Sequence, residues 1–303
     1  MATSGTYAFN PSLGELVLYA YNLCDVRNTA IAQEHMEAAR MSTNLLLANW
    51  ANRGVNLWAV DLVTVSFNQT PAISSVTGNG STTTLTYATP NTPVYTIGTQ
   101  ITVAGTSVVD GTQTVTASSN GSVSFAASYN GSTSGGTIST STPAATYSID
   151  PSTVVMLDTY VENTTNGSQP IDRILLPISR TEYSNYPNKQ QVGFPTVFWM
   201  DRLLAPQVTL WPVPDGVSSQ TLKYYRVRQI QDANYTSGQN VEIPYLWLEA
   251  FAYNLALRLA IIWNAQKVAL LKPLADEAYS IAAEQNVETA QQYISPQIQG
   301  YFR

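Results

Sequence analysis

The sequence predicts an α+β fold: a helical bundle drawn from both chain termini, an antiparallel β-sheet domain, and a small inserted all-β module, either an Ig-like sandwich or a barrel. Three observations lead there. Apolar residues recur at helical spacing near both ends of the 303-residue chain. Between those ends the period falls to two. From about residue 70 to residue 143 the composition also changes abruptly, leaving Asp110 as the single charge among Ser, Thr and Gly. Helices at the ends and strands between them give segregated layers.

The first helix is expected over residues 12–23. Ser12 followed by Glu15 matches a capping box, and Leu16, Tyr19 or Ala20, and Leu23 give it one apolar side. A second helix over 29–53 takes Thr29 as N-cap. Its Met36, Ala39, Leu46, Leu47 and Trp50 fall at helical spacing, and Gly54 offers the left-handed stop. Beyond Gly54, the residues Val60, Leu62, Thr64 and Phe67 read as a strand.

Within 70–143, apolar and β-branched residues alternate in short runs roughly ten residues apart. The pairs Asn79-Gly80, Asn120-Gly121 and Asn130-Gly131 part them as type I′ turn signals. That patterning distinguishes the stretch from a Ser/Thr linker. It interrupts a strand that would otherwise join Phe67 to Tyr147. Strand-like runs follow at 154–161, 171–178, 197–202, 208–211 and 222–228, with a short helical turn from Ser179 and a proline-rich turn at 212–216. Pro244 suits the first position of a helix over 244–266, where Leu248, Phe251, Ala252, Leu255, Leu259 and Ile262 make an apolar face. A last helix is expected over 272–290. The domains are therefore 1–69 with 144–290 as the core, 70–143 as the insertion, and 291–303 as a tail.

Charged residues make up 11% of the chain, against the ~25% usual for soluble domains. The net charge of −6 argues against duplex recognition, which rests on neutralising phosphates. It is compatible with a wall that DNA slides past. Eighteen Tyr and six Trp suit interface cores, which are poor in charge and rich in aromatics. One cysteine and one histidine exclude an internal disulfide and a Cys/His zinc site. Cys24 reads as a small buried hydrophobe, and His35, flanked by Glu34 and Glu37, as a solvated or capping residue. The most apolar run, 248–263, is interrupted by Glu249, Asn254 and Arg258 and falls short of the ~20 clean residues of a membrane span. The first eleven residues carry no basic signal region, so a soluble chain is expected.

Chemical motifs are missing. Neither G-x-x-x-x-G-K-[ST] nor a G-x-G-x-x-G ahead of a helix occurs. Residues 131–135 have the spacing of G-x-S-x-G, but the central residue is Thr133. A nucleophilic triad needs a histidine base, and only His35 is present. The carboxylates Asp150, Asp158, Glu162, Asp172, Glu182, Asp201 and Asp232 are the candidates for a hydrolytic pair, and no spacing singles out two of them. Asp110 and Asp215, each before a glycine, are turn residues. No catalytic residue, cofactor or metal is expected, and the chain reads as a non-enzyme.

The order of several segments resembles a known family. They are 39–58 (A-R-M-S-T-N-L-L-L-A-N-W-A-N-R-G-V-N-L-W), 147–150 (Y-S-I-D), 179–183 (S-R-T-E-Y), 193–195 (G-F-P) and 208–216 (V-T-L-W-P-V-P-D-G). Tyr225-Arg226, 230–232 (I-Q-D) and 241–244 (V-E-I-P) follow, ahead of the helix over 255–262. Together, over roughly residues 12–68 and 145–270, they resemble the phage head-to-tail adaptor proteins, the packaged-DNA stabilisation or tail accessory factors. The 70–143 insertion and the residues after Ala290 depart from that pattern.

The resemblance implies a structural connector subunit of a tailed-phage virion, assembled in the host cytoplasm as a homo-oligomeric ring, usually of twelve copies, at the head–tail junction. Its implied partners are the portal protein above, a downstream tail or nozzle protein below, and double-stranded DNA passing non-specifically through the ring, with no membrane. The aromatic tail is assigned to portal binding through Tyr293, Ile294, Tyr301, Phe302 and Arg303, because it has no local partner. Two other readings compete. A host-surface or carbohydrate-binding adhesion protein would display Tyr87, Tyr95, Phe125 and Tyr129 as an exposed aromatic platform. A peptidoglycan hydrolase would need an isolated carboxylate such as Glu182.

Overall fold

The computed structural model describes residue 5 and residues 9–55, 57–67, 69–141, 143–164, 169–215, 220–234 and 239–284. In chain order the elements are α1 (Leu13–Leu23), α2 (Gln33–Asn52), β1 (Val60–Ser66), β2 (Ile73–Asn79), β3 (Thr82–Tyr87), β4 (Pro93–Val94) and β5 (Gln100–Ala104). Next come β6 (Gly111–Ser119), β7 (Ser122–Ala126), β8 (Asn130–Thr133), β9 (Thr137–Ser139), β10 (Thr146–Ser148), β11 (Thr153–Asn163), β12 (Ile171–Ile174) and β13 (Leu176–Pro177). The rest are α3 (Arg180–Asn185), β14 (Val197–Asp201), β15 (Gln207–Trp211), β16 (Gln220–Arg228), α4 (Leu248–Trp263) and α5 (Val268–Glu284).

The expected fold class is corrected. The chain is mostly β, with 16 strands in three sheets and 5 α-helices among the described residues, and the helices do not form a bundle carrying one antiparallel sheet. α1, α2 and α5 each pack on α4, and side chains join them around it, Tyr21 of α1 donating to the His35 carbonyl of α2 and Trp50 of α2 meeting Tyr279 of α5. The core of that region is thus one helix with three laid on it. The single expected sheet is two, and one of its pairings, β13 with β14, is parallel.

Two compact units divide the chain: Met1–Ala59 with Ile230–Arg303, and Val60–Gln229. In the first, Ser12 caps α1. Its hydroxyl accepts the Glu15 N–H at 3.4 Å, and the Glu15 carboxylate accepts the Ser12 N–H at 2.8 Å. α2 starts at Gln33 rather than after Thr29, because the Ala32 N–H finds an acceptor in His35 Nδ1 at 3.2 Å. A 3₁₀ turn, Tyr245–Trp247, follows Pro244 and leads into α4. α5 starts before Pro273 and runs through it, although proline removes one helical hydrogen bond there. Leu248, Phe251, Ala252, Leu255 and Leu259 are buried, as their spacing indicated, while Ile262 is exposed. The 19 residues Tyr245–Trp263 have the length and hydropathy of a membrane span, yet half of their apolar window is buried in this core.

In the second unit, β1-β16-β11-β12 form a four-stranded antiparallel sheet, and β13-β14-β15-β10-β4 form a five-stranded one. Val65, Phe67, Tyr147, Leu210, Leu222 and Tyr224 share one core. The alternation of β1 runs out of phase with the expected Val60, Leu62 and Thr64: Val63 and Val65 turn inward, in step with the expected Phe67, and Leu62 is exposed. A one-residue change of phase moves every side chain to the other face. Phe67 and Tyr147 do not continue one strand. β1 and β10 lie in different sheets, and the two rings meet at 5.6 Å.

Apart from β4, the strands between residues 73 and 139 form the third sheet, β8-β2-β3-β7-β6-β5-β9, around their own core of Val76, Leu85, Ile101, Val123, Phe125 and Ile138. The sheet curls until Thr137 at the start of β9 bridges Ala72, just ahead of β2. Two Asn-Gly pairs are hairpin turns, but only their glycines take positive φ, 91° at Gly80 and 74° at Gly121, so the turns are not type I′. The third pair, Asn130-Gly131, is no turn: it opens β8, paired with β2. The Tyr129 backbone and ring lie so close to Gly78 that a side chain there would collide.

The α4-centred core gives a direct stability test. Trp50 is 1% exposed, and its ring meets those of Trp247, Phe251 and Tyr279 at 5.0, 6.3 and 6.2 Å. Trp50→Ala should cost about 3–5 kcal/mol, measured by urea unfolding. A loss well under 1 kcal/mol would show that the aromatic cluster is not integral to this core.

Candidate functional site

The lone histidine and the lone cysteine are both used internally. His35 stacks on Trp263, with centroids 4.0 Å apart, and its Nδ1 caps α2. Cys24 is buried with its Sγ donating to the Ala256 carbonyl, and burial, followed by the nearby Asp25 charge, pushes its thiol up to about 11. A thiol held that high is a poor nucleophile.

The carboxylates do not converge on a cleft. Glu162 is ion-paired to Lys223 at 2.6 Å, and Asp172 faces it across the β11–β12 ladder. The Glu182 N–H is taken by the Ser179 hydroxyl at the start of α3. Asp158 lies in the irregular stretch of β11 between Met156 and Thr159, Asp201 ends β14 opposite Gln207, and Asp232 sits in the segment after β16. Asp110 ties its own loop, accepting the Thr106 N–H and hydroxyl and the Ser107 N–H. The Thr106 bonds above all, hydroxyl first, hold its carboxyl below the usual range. Among the described residues, no three His, Cys, Asp or Glu side chains gather as a metal would need.

The aromatic platform of the adhesion reading is turned inward. Tyr87, Tyr95 and Phe125 are buried in the third core, and Tyr129 packs against it. The tail residues Tyr293, Ile294, Tyr301, Phe302 and Arg303 lie outside the described residues.

What the surface does offer is apolar. On α2, Met41, Leu45 and Ala48 form an exposed i, i+4, i+7 row opposite the buried Ala39, Leu46 and Trp50. On α5, Leu270, Leu274 and Ile281 form a second row beside the buried Leu271, Ala275 and Ala282. The outer face of the four-stranded sheet carries Leu62 opposite Tyr225. The β14–β15 hairpin ends in Leu203 and Leu204, 69% and 99% exposed. Finally, a groove of about 550 Å³ opens between the segment before α1 and the start of α4, walled by Phe9, Pro11, Leu16, Tyr19 and Leu248. Sequence reasoning missed these features. The one local signal was two consecutive leucines in a turn, where alternation had already stopped.

A second feature missed from sequence is the charge inside the four-stranded sheet. Arg226 is 8% exposed on the inward side of β16, at the same parity as Leu222 and Tyr224. Its Nε and Nη2 grip Asp61 at 2.7 and 3.1 Å, and Nη1 reaches Asp150 at 3.1 Å and the Thr153 hydroxyl at 3.0 Å. The hydrogen bonds to Asp61, more than any other influence, raise the Arg226 pKa. Partial burial alone would raise the Asp150 carboxyl. The Ser152 N–H and hydroxyl and the Arg226 guanidinium outweigh it and hold Asp150 below the usual carboxylate range.

The sign follows from proton binding: the folded protein binds Asp150's proton less readily than the unfolded chain does. This contribution to stability is therefore present above the ordinary Asp value of about 3.9 and is lost as pH falls through the lowered one. Asp150→Asn should remove it, so the variant's stability should fall less steeply than the wild type's between pH 5 and 2. Parallel acid limbs would show that Asp150 does not take part.

A scan of the chain against protein-family models gives no match, and a search against curated proteins gives none either.

Proposed function

We propose that this chain is a structural head-to-tail adaptor subunit of a tailed phage, assembling as a ring beneath the portal that joins capsid to tail and helps retain the packaged DNA. The observation that carries the reading is the scatter of unpartnered apolar side chains over separate faces: the α2 row, the α5 row, and the Leu62–Tyr225 face of the sheet. A subunit that meets neighbours on two sides and further partners above and below needs several such faces. An enzyme or a lectin needs one concave site with convergent polar groups. The low charge fits the same role, since interface cores are poor in charge, and the net −6 leaves DNA free to pass.

Residues 291–303 take the portal contact in this reading, with Tyr301 and Phe302 as anchors. The test is native mass spectrometry of the purified chain mixed with portal rings. The full chain should add one ring of copies matching the portal's symmetry. A chain ending at residue 290 should keep its circular dichroism spectrum and fail to attach. Attachment by the truncated chain would refute the tail's role. No complex with the full chain, together with retention on host cells, would refute the adaptor.

A further inference from the structure

We propose that the Leu203–Leu204 hairpin tip of one copy docks into the groove beside α1 of the next copy, as a head-to-tail contact between subunits. The tip is held ready. At its base the Asn120 side-chain amide donates to the Ala205 carbonyl at 3.0 Å and accepts from the Gln207 amide at 2.6 Å, while the Pro206 carbonyl accepts the Ile149 N–H at 3.0 Å. A loop pinned on both sides loses little freedom on binding, which favours affinity. Yet this pinned loop aims two adjacent leucines at solvent, one of them 99% exposed. A lone exposed leucine needs no explanation; two on a preorganised tip do.

The groove supplies the complement. Its walls are Phe9, Pro11, Tyr19 and Leu248, and its volume of about 550 Å³ is ample for two leucine side chains. Its polar lining includes Glu15 and Glu249, both exposed. Glu15 uses one carboxylate oxygen in its cap with Ser12, and Glu249 makes no hydrogen bond or ion pair among the described residues. The charge within the tip loop is Arg202, also unpaired among the described residues, while Asp201 occupies the last ladder position of β14. An apolar tip with a cation thus faces an apolar groove with an acidic rim. Complementary potentials of this kind fix register and partner choice. Because tip and groove are different patches, the contact is heterologous: it repeats from copy to copy and closes as a ring when the rotation allows. Closure on the portal rests on the function proposed above; the contact itself rests on the two surfaces.

Two measurements on the full chain, with and without portal rings, test it. With a photoreactive benzoylphenylalanine at position 204, crosslinks should map to residues 9–19 or 248–249 of another copy. Crosslinks to residues 285–303, or only to a different protein, would overturn the proposal. In sedimentation, Arg202→Glu or Glu249→Arg should each weaken subunit association at least about tenfold, Leu204→Asp roughly thirtyfold or more, and the Arg202→Glu/Glu249→Arg pair should recover it. All three substituted positions are exposed, so near-UV circular dichroism should stay native. Rings that form equally well with every variant would refute this contact and leave the ring intact. No ring and no self-association under any condition would refute both.

Discussion

The Arg226–Asp61 ion pair is the constraint on which the β unit depends. The two residues are direct register partners on β16 and β1, the strands by which the chain leaves and enters that unit. A buried guanidinium without its carboxylates is strongly unfavourable, so a slip of either strand would strand Arg226 in an apolar layer. Asp150, just ahead of β11, is drawn to the same guanidinium, and the third strand is thereby placed as well. With β1, β11 and β16 in register, Val65, Leu222 and Tyr224 fall on the inner face together, and Leu62 and Tyr225 on the outer. The apolar outer face is thus a consequence of how the buried charge is satisfied.

The helical unit obeys a different rule. α4 is apolar on most of its circumference and needs several partners at once. The N-terminal segment supplies α1 and α2, and the C-terminal segment supplies α5. Only one side of α2 and of α5 is spent on that core. Their second apolar rows are then available for other chains, and this surplus links the packing of the helices to the assembly proposed for the protein. Polar side chains such as Ser12, Glu162, Arg226 and Asp110, by contrast, serve caps, ion pairs and loop ties within the fold.

Local grammar was legible in the sequence. Ser12 with Glu15 and Ser179 with Glu182 mark helix starts because a hydroxyl and the third amide along meet there, and the later strands lie close to where period two placed them. The balance of the fold was not legible. Long helices dominate a periodicity reading, while short strands of two to four residues, such as β4, β9 and β13, leave almost no period to count. Non-local partners decided the rest. Asn130-Gly131 looks like a turn until β2 pairs with it, Pro273 looks like a start until α5 packs through it on α4, and the parity of β1 depends on β16. Arg226 carried the one available hint, a charge at an inward position of a strand, which demands a partner that sequence alone cannot name. The groove was invisible because its walls come from segments more than two hundred residues apart.

The proposed function places this chain as a ring at the junction of head and tail. Cryo-electron microscopy of the intact particle's neck tests that most directly. The expected result is a closed ring of this chain against the portal, with its helical unit and β unit recognisable in each copy and duplex DNA passing through the centre. Density for the chain at the fibres or the tail tip, with none beneath the portal, would contradict the account.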